Sequence, residues 1–290
     1  MTTGFDGPWS APAKLNLLLR ILGRRADGYH ELQTVFQFLD YGDQLYFRLT
    51  GDGAIRRHGG LADIPDEQDL VVKAARLLQA ETGCSLGADI QLLKRLPPGG
   101  GLGGGSSDAA TTLAALDRLW GTGLGDAALA ELGLRLGADV PVFLFGRAAW
   151  GEGIGERLTA IDLPEPWYLV LRPECRVSTA AVFQDPELTR NSPRITIRDF
   201  LAGEHGNDCL ATVRRRSPAV SDALDWLQRY AEARLTGTGA CVFAAFSSRA
   251  EAERVQAALP ARWQGFVARG RNASPLQAEL AAAREAPTGP

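Results

Sequence analysis

Residues 96–110 read Leu96-Pro-Pro-Gly-Gly-Gly-Leu-Gly-Gly-Gly-Ser-Ser-Asp-Ala-Ala110, with six glycines between positions 99 and 105. Three readings compete for such a run: a flexible linker, a dinucleotide-binding turn, or a loop that wraps a phosphate chain. A linker joins two units and is polar and featureless. This run instead joins a strand expected over 87–95 to a helix capped by Ser106 or Ser107, inside one unit. Gly99, Gly101 and Gly104 satisfy the G-x-G-x-x-G spacing, but among so many glycines the match is nearly automatic. The dinucleotide fold also wants a second strand after the helix, with an acid about 20 residues on. Here a second helical pattern, Asp126 to Leu136, follows. The phosphate reading remains. Glycines let backbone approach anionic oxygens, successive N–H groups form a nest, and the helix adds its positive end. Gly100-x-x-x-x-Gly105-Ser-Ser lacks the lysine of a Walker A loop, so positive charge must come from elsewhere. Lys14 and Lys94 are the candidates, because only they and Lys73 are lysines among 31 basic residues.

Composition narrows the class. A chain of 290 residues suits one large domain or two modest ones. Its 45% hydrophobic and 22% charged residues are those of a globular protein, and no apolar run approaches the roughly 20 residues of a membrane span. A net charge of −3 and a pI near 5.7 give no electrostatic footprint for nucleic acid. The one dense basic run, Arg214-Arg215-Arg216, reads as a solvated helix face. Cys84, Cys175, Cys209 and Cys241 are far apart and form no CxxC pair, which argues against structural zinc and disulfides. With no basic-then-apolar signal at Met-Thr-Thr-Gly-Phe-Asp, the expected location is the cytoplasm.

Along the chain, Leu15, Leu17, Leu19 and Ile21 alternate with Lys14, Asn16 and Arg20, which predicts a strand over 13–22. Strands over 33–39 and 43–49 are expected around a Gly42-Asp43 turn, and a helix from an Asp66 cap to Thr82, stopped by Gly83. The helix after the glycine run should reach Trp120. Leu163-Pro-Glu-Pro166 is the expected boundary between domains 1–163 and 164–290. Beyond it the order is strand (167–172), helical region (178–230), strand (233–236), strand (241–246), helix (249–258), strand (263–269), the ferredoxin-like split unit. An alanine-rich tail from 277 is expected as a terminal helix that packs back on the first domain.

With these segments in view, the chain resembles the GHMP kinase superfamily. Three motifs carry the likeness in order: Pro12-Ala-Lys-Leu-Asn-Leu17, the glycine run 96–107, and Leu235-Thr-Gly-Thr-Gly-Ala-Cys-Val-Phe243. The resemblance implies an α+β protein with a ribosomal-S5-domain-2-like N-terminal domain and a ferredoxin-like C-terminal domain. Arg24-Arg-Ala-Asp-Gly-Tyr-His-Glu-Leu32, Leu136-Gly-Ala-Asp-Val-Pro-Val-Phe143 and Asp185-Pro-Glu-Leu188 carry a narrower match. They point to the branch that phosphorylates the C2 hydroxyl of a cytidine-diphosphate-linked methylerythritol, in the non-mevalonate route to isoprenoid precursors. Pro98 departs from the residue many relatives carry there.

Phosphoryl transfer asks a protein for positioning and charge stabilisation, plus a base to take the alcohol proton as the new bond forms. The resemblance makes Asp139 that base and Lys14 its partner, with Asn16 on the same strand face. It implies that Gly99, Gly101, Gly103, Gly104 and Gly105 cradle ATP, with Lys94 near the nucleotide. Ser106 and Ser107 are candidates for helix capping or phosphate binding, and Ser107 for Mg²⁺. No carboxylate pair marks a metal site. Tyr29 and Phe183 match the aromatic pair around cytosine, His30 the position reading its edge, and Asp185 and Gly239 are expected beside the acceptor. ATP, Mg²⁺ and a small-molecule acceptor are the implied partners, in a monomer or weak homodimer. Two alternatives stand: another superfamily kinase acting on a small alcohol, and a non-catalytic nucleotide-binding relative.

Overall fold

The computed structural model describes residues 4–61 and 64–285. Two long strands, β1 (Asp6–Arg24) and β2 (His30–Thr50), pair antiparallel along most of their length. The expected turn at Gly42-Asp43 is absent, because β2 runs straight through it. Gly42 serves a close approach instead: a Cβ there would lie 2.6 Å from the Pro12 Cα, where the register slips between Pro12 and Lys14. A second irregularity, between Asn16 and Leu18, reverses the alternation of β1. Strict alternation would set Arg20 beside Lys14 and Asn16; the bulge sets Leu19 on their cavity instead.

Next come β3 (Ile55–Gly59), α1 (Leu70–Thr82), β4 (Gly87–Leu93), α2 (Gly104–Trp120), α3 (Gly125–Leu136), α4 (Val140–Phe145), β5 (Ala149–Gly153) and β6 (Arg157–Ala160). Asp69, not Asp66, caps α1, accepting from the Val71 amide at 2.8 Å, and left-handed Gly83 ends the helix as expected. Neither Ser106 nor Ser107 caps α2. That helix begins at Gly104 behind a left-handed Gly103, with no side-chain cap. Val72, Leu78, Leu113, Leu116 and Trp120 from the helices pack on Phe38, Leu45, Phe47 and Ile90 of the sheet as the first core.

The second half holds β7 (Trp167–Arg172), α5 (Thr179–Phe183), α6 (Ile197–Leu201), β8 (Gly206–Asn207), α7 (Leu210–Arg216), α8 (Pro218–Leu227), β9 (Arg234–Leu235), β10 (Val242–Phe246), α9 (Arg249–Ala257) and β11 (Gln264–Arg271). Its strands lie in the order β11-β7-β10-β9, all antiparallel, which is the ferredoxin-like arrangement expected from the sequence. Period two divides β7: Leu169 and Leu171 meet α7, α8 and α9, whereas Tyr168 and Val170 enter a core shared with β1 and β2. β11 also pairs with β2 at Gly270↔Leu39 and Arg271↔Phe38, so the sheets of the two halves join. The last helix, α10 (Pro275–Glu285), lies on the first half: Leu276 enters its core, and Glu279 accepts from the Ser10 amide at 2.6 Å. Residues 286–290 of the expected tail lie outside the described residues. No described helix is long and apolar enough to cross a membrane.

Candidate active site

The glycine loop lines a cavity of about 400 Å³ with Ile64, Leu70, Leu92 and Lys94. At two positions glycine is obligatory. Gly101 has φ +75°, and a Cβ there would run into the Thr236 carbonyl; Gly103 has φ +73°, and a Cβ would lie 2.7 Å from the Phe143 ring and 3.1 Å from Lys14 Cε. The loop is fastened from the other half of the chain. Ala240 N donates to the Gly99 carbonyl (3.2 Å), Cys241 N to that of Gly100 (3.1 Å), and Thr236 Oγ1 to that of Gly101 (3.1 Å). Gly103 has no side chain to cap α2, so the first amides of the helix lack protein acceptors at the cavity. Free amides at a helix's positive end are donors that suit an anion.

Lys94 lines this cavity, but its charge is already matched. Nζ donates to Asp43 and, at 2.7 Å, to Asp108. Burial pulls the lysine pKa down, yet the two carboxylates more than reverse this and raise it. One lysine cannot balance both acids: burial, reinforced by Asp43, pushes the Asp108 carboxyl up to about 8. Asp43 also accepts from the amides of Arg95 and Leu96, fixing the chain just before the loop. The dipeptide that reads as a turn is a buttress of the site.

A second cavity, about 310 Å³, adjoins the first and shares Gly101 and Ser106 with it. Lys14 Nζ stands 3.3 Å from Asp139 Oδ2 and donates to Asn16 Oδ1 at 2.5 Å. Asn16 Nδ2 in turn donates to Thr34 Oγ1 (2.8 Å), and Thr34 Oγ1 to the Leu18 carbonyl (2.7 Å). The chain of donors orients the lysine. Its side chain is 3% exposed against 39% for Asp139, so the buried ammonium backs a carboxylate that opens into the cavity. Asp139 sits at the N-cap position of α4 yet makes no capping bond, which leaves it free for chemistry.

A third cavity, about 500 Å³, shares Leu32, Ala138, Ile154, Thr179 and Phe183 with the second. Tyr29, His30 and Phe183 line it, with Tyr29 58% exposed. His30 stacks on Phe183, ring centroids 5.0 Å apart and planes 28° apart, and receives a hydrogen bond at Nε2 from Arg190. Burial first, then the positive charges of Arg190 and Arg24, hold the imidazole pKa below its ordinary value.

Three expected residues stand elsewhere. Asp185 lines none of these cavities; it is buried and pairs with Arg216 (2.9 Å) and Arg215 (2.7 Å), and the Arg216 bond first, then the Glu187 amide and Arg215, hold its carboxyl below the usual range. Two arginines of the supposedly solvated run are thus structural. Ser107 is fully buried, its hydroxyl without a partner among the described residues, and Ser106 takes the junction between cavities. Gly239 lies behind Gly237 and Thr238, which line the second cavity in its place. Sequence reasoning missed Asp43, Thr34, Thr236, Thr179 and Arg190. Thr236 lay inside a recognised motif and Asp43 inside a dipeptide that reads as a turn, whereas the others carry no pattern of their own.

The model of the GHMP kinases N terminal domain matches residues 69–147, and that of the GHMP kinases C terminal matches 192–265. A protein of Alkalilimnicola ehrlichii named 4-diphosphocytidyl-2-C-methyl-D-erythritol kinase is 61% identical over 285 residues, covering 97% of this chain and 98% of its own length. One of the same name from Pseudomonas paraeruginosa is 58% identical, covering 93% and 96%. A crystal structure of 4-(cytidine 5'-diphospho)-2C-methyl-D-erythritol kinase superposes with a TM-score of 0.79 at 33% identity, over 90% of this chain and 98% of that one. A mevalonate kinase structure, at 16% identity and a TM-score of 0.67 over 93% and 100%, shares the fold. Motifs, sheet order and relatives agree: the chain belongs to the GHMP kinases, among the 4-diphosphocytidyl-2-C-methyl-D-erythritol kinases.

Proposed function

We propose that this chain transfers the γ-phosphoryl group of ATP to the tertiary C2 hydroxyl of 4-diphosphocytidyl-2-C-methyl-D-erythritol. One observation carries the reading: the three cavities share walls in series, with Lys14 and Asp139 in the middle one. ATP in the first would place its phosphates against the loop amides and the start of α2, its terminal phosphate toward Ser106. The base of the acceptor would take the third cavity, and its alcohol would reach the second. Asp139 accepts the alcohol proton as the bond to phosphorus forms, and Lys14 stabilises the charge gathering on the transferring group. Asn16 and Thr34 hold Lys14 in that position.

Among the described residues, no three metal-ligating side chains converge, and Lys94 donates to both Asp43 and Asp108. The donor set fits a Mg²⁺ that arrives on the ATP phosphates, and Ser106, which lines both the first and the second cavity, would be placed to meet it. Such an ion would neutralise phosphate charge. The test is ADP release with Mg-ATP and four acceptors: the cytidylated alcohol, bare methylerythritol, homoserine and mevalonate. Turnover restricted to the first is expected. Equal turnover of a bare alcohol would remove the base-binding assignment, and ATP binding without any turnover would favour a non-catalytic relative.

A further inference from the structure

Arg190 lies in the connection after α5, and four of the five N–H groups of its guanidinium are engaged. Nη2 donates to the carbonyls of Phe183 and Asp185, both at 2.8 Å, and Nη1 to that of Leu188 at 3.1 Å. These bonds fix the direction of Nε–H, which donates to His30 Nε2 at 3.2 Å. A guanidinium has no acceptor and does not deprotonate. Nε2 of His30 must then be the lone-pair nitrogen, and the single proton of the neutral ring sits on Nδ1. The surroundings support the neutral form, since burial and two arginines disfavour the imidazolium. Nδ1 has no partner among the described residues, and the ring lines the third cavity.

Resting on the cytidine-diphosphate acceptor proposed above, we infer that Arg190 is a specificity-determining residue: by fixing the His30 proton on Nδ1, it makes the site select cytosine over uracil. Cytosine presents a lone pair at N3, which an Nδ1–H donor can meet. Uracil presents N3–H, so two donors would face each other. An unrestrained histidine could relieve that clash by moving its proton to Nε2 and accepting at Nδ1. Here Nε2 already faces the Arg190 N–H, and the exchange is blocked. Discrimination therefore resides in the arginine, and the histidine is its instrument.

Two measurements on the full chain test this. The first is the two-bond ¹H–¹⁵N pattern of the His30 ring in the unmutated protein, assigned by its loss in His30→Gln, which is tractable with only three histidines. A proton on Nδ1 is expected, and a proton on Nε2 overturns the inference. The second compares kcat/KM for the cytidine- and uridine-diphosphate forms of the acceptor in the unmutated protein and in Arg190→Gln, whose amide can donate or accept. The cytidine-over-uridine ratio should fall roughly 10- to 100-fold, the range of one mismatched buried hydrogen bond. It should fall through KM for the acceptor, with KM for ATP unmoved. Parallel weakening of both acceptors at constant ratio would make Arg190 a structural clamp only and overturn the inference, as would an unmutated protein with no preference. If neither acceptor is turned over at all, the proposed function fails, and the ring pattern alone then decides the pairing of Arg190 with His30.

Discussion

Gly103→Ala tests the site at its tightest point. The left-handed backbone at φ +73° costs an L-residue about 1–2 kcal/mol. The new methyl would also stand 2.7 Å from the ring of Phe143, which is 1% exposed and walled in by the first core, so it cannot swing away. Overpacking of this kind costs about 1–3 kcal/mol. Together they predict a loss of about 2–5 kcal/mol in a denaturant titration. Activity should suffer as well, because the methyl presses on Lys14 Cε and tilts the first amides of α2. Misplaced charge-stabilising groups lower kcat by roughly a hundredfold or more. The control is Gly121→Ala, at φ +69° with nothing within 4 Å of the added Cβ. It meets the backbone cost alone, about 1–2 kcal/mol, and should keep its kcat. If Gly103→Ala matches Gly121→Ala in both stability and kcat, the close approach of loop, Phe143 and Lys14 is not what the site depends on.

Asp139→Asn should lower kcat roughly 10²- to 10⁴-fold with ATP affinity retained, since it removes a proton acceptor used only in the transition state; a titration of ATP binding beside steady-state rates checks this. Phe183→Ala should raise KM for the acceptor roughly tenfold or more through lost base stacking, and leave KM for ATP unchanged. Asp108 is an acid raised from 3.8 to about 8 in the folded protein. Between those values the folded chain holds a proton the unfolded one has released, so this group's contribution to stability declines as pH rises, by at most about 1.4 kcal/mol per unit. Unfolding midpoints from pH 5 to 8 should therefore fall less steeply in Asp108→Asn than in the unmutated protein. An identical slope would contradict the protonated carboxyl.

What the sequence made legible were features with a period or a covalent signature. The glycine run marked a tight loop at a helix start, where Gly99, Gly101 and Gly103 take left-handed backbone that other residues rarely adopt, and the alternation and order of strands past Pro166 announced the ferredoxin-like half. Lys14 and Asn16 could be placed together because they are two apart on a strand. Leu19 could not, because a bulge between Asn16 and Leu18 changes the parity without marking the sequence. Gly42-Asp43 misled for a related reason: glycine answers equally to a turn and to a close crossing, and only the partner strand distinguishes them. The buttresses Asp43, Thr34 and Arg190 act across 18 to 160 residues of chain, through hydrogen bonds that local pattern does not encode. Asp185 shows the converse. It lies in a recognisable motif, but its carboxylate serves two arginines of α7 instead of a ligand.

The fastening of the glycine loop by Thr236, Ala240 and Cys241 bears on how new acceptor specificities could be built. Members of this fold invite chimeras in which one enzyme's acceptor-binding half is grafted onto another's nucleotide-binding half. In this chain such a graft would exchange the clasp of the glycine loop while leaving Tyr29 and His30 of the third cavity behind, and three backbone carbonyls at Gly99, Gly100 and Gly101 would meet foreign donors. A transplant confined to the 177–190 stretch would leave that clasp native. The modular boundary for redesign therefore runs around a segment inside the second half, and not between the halves.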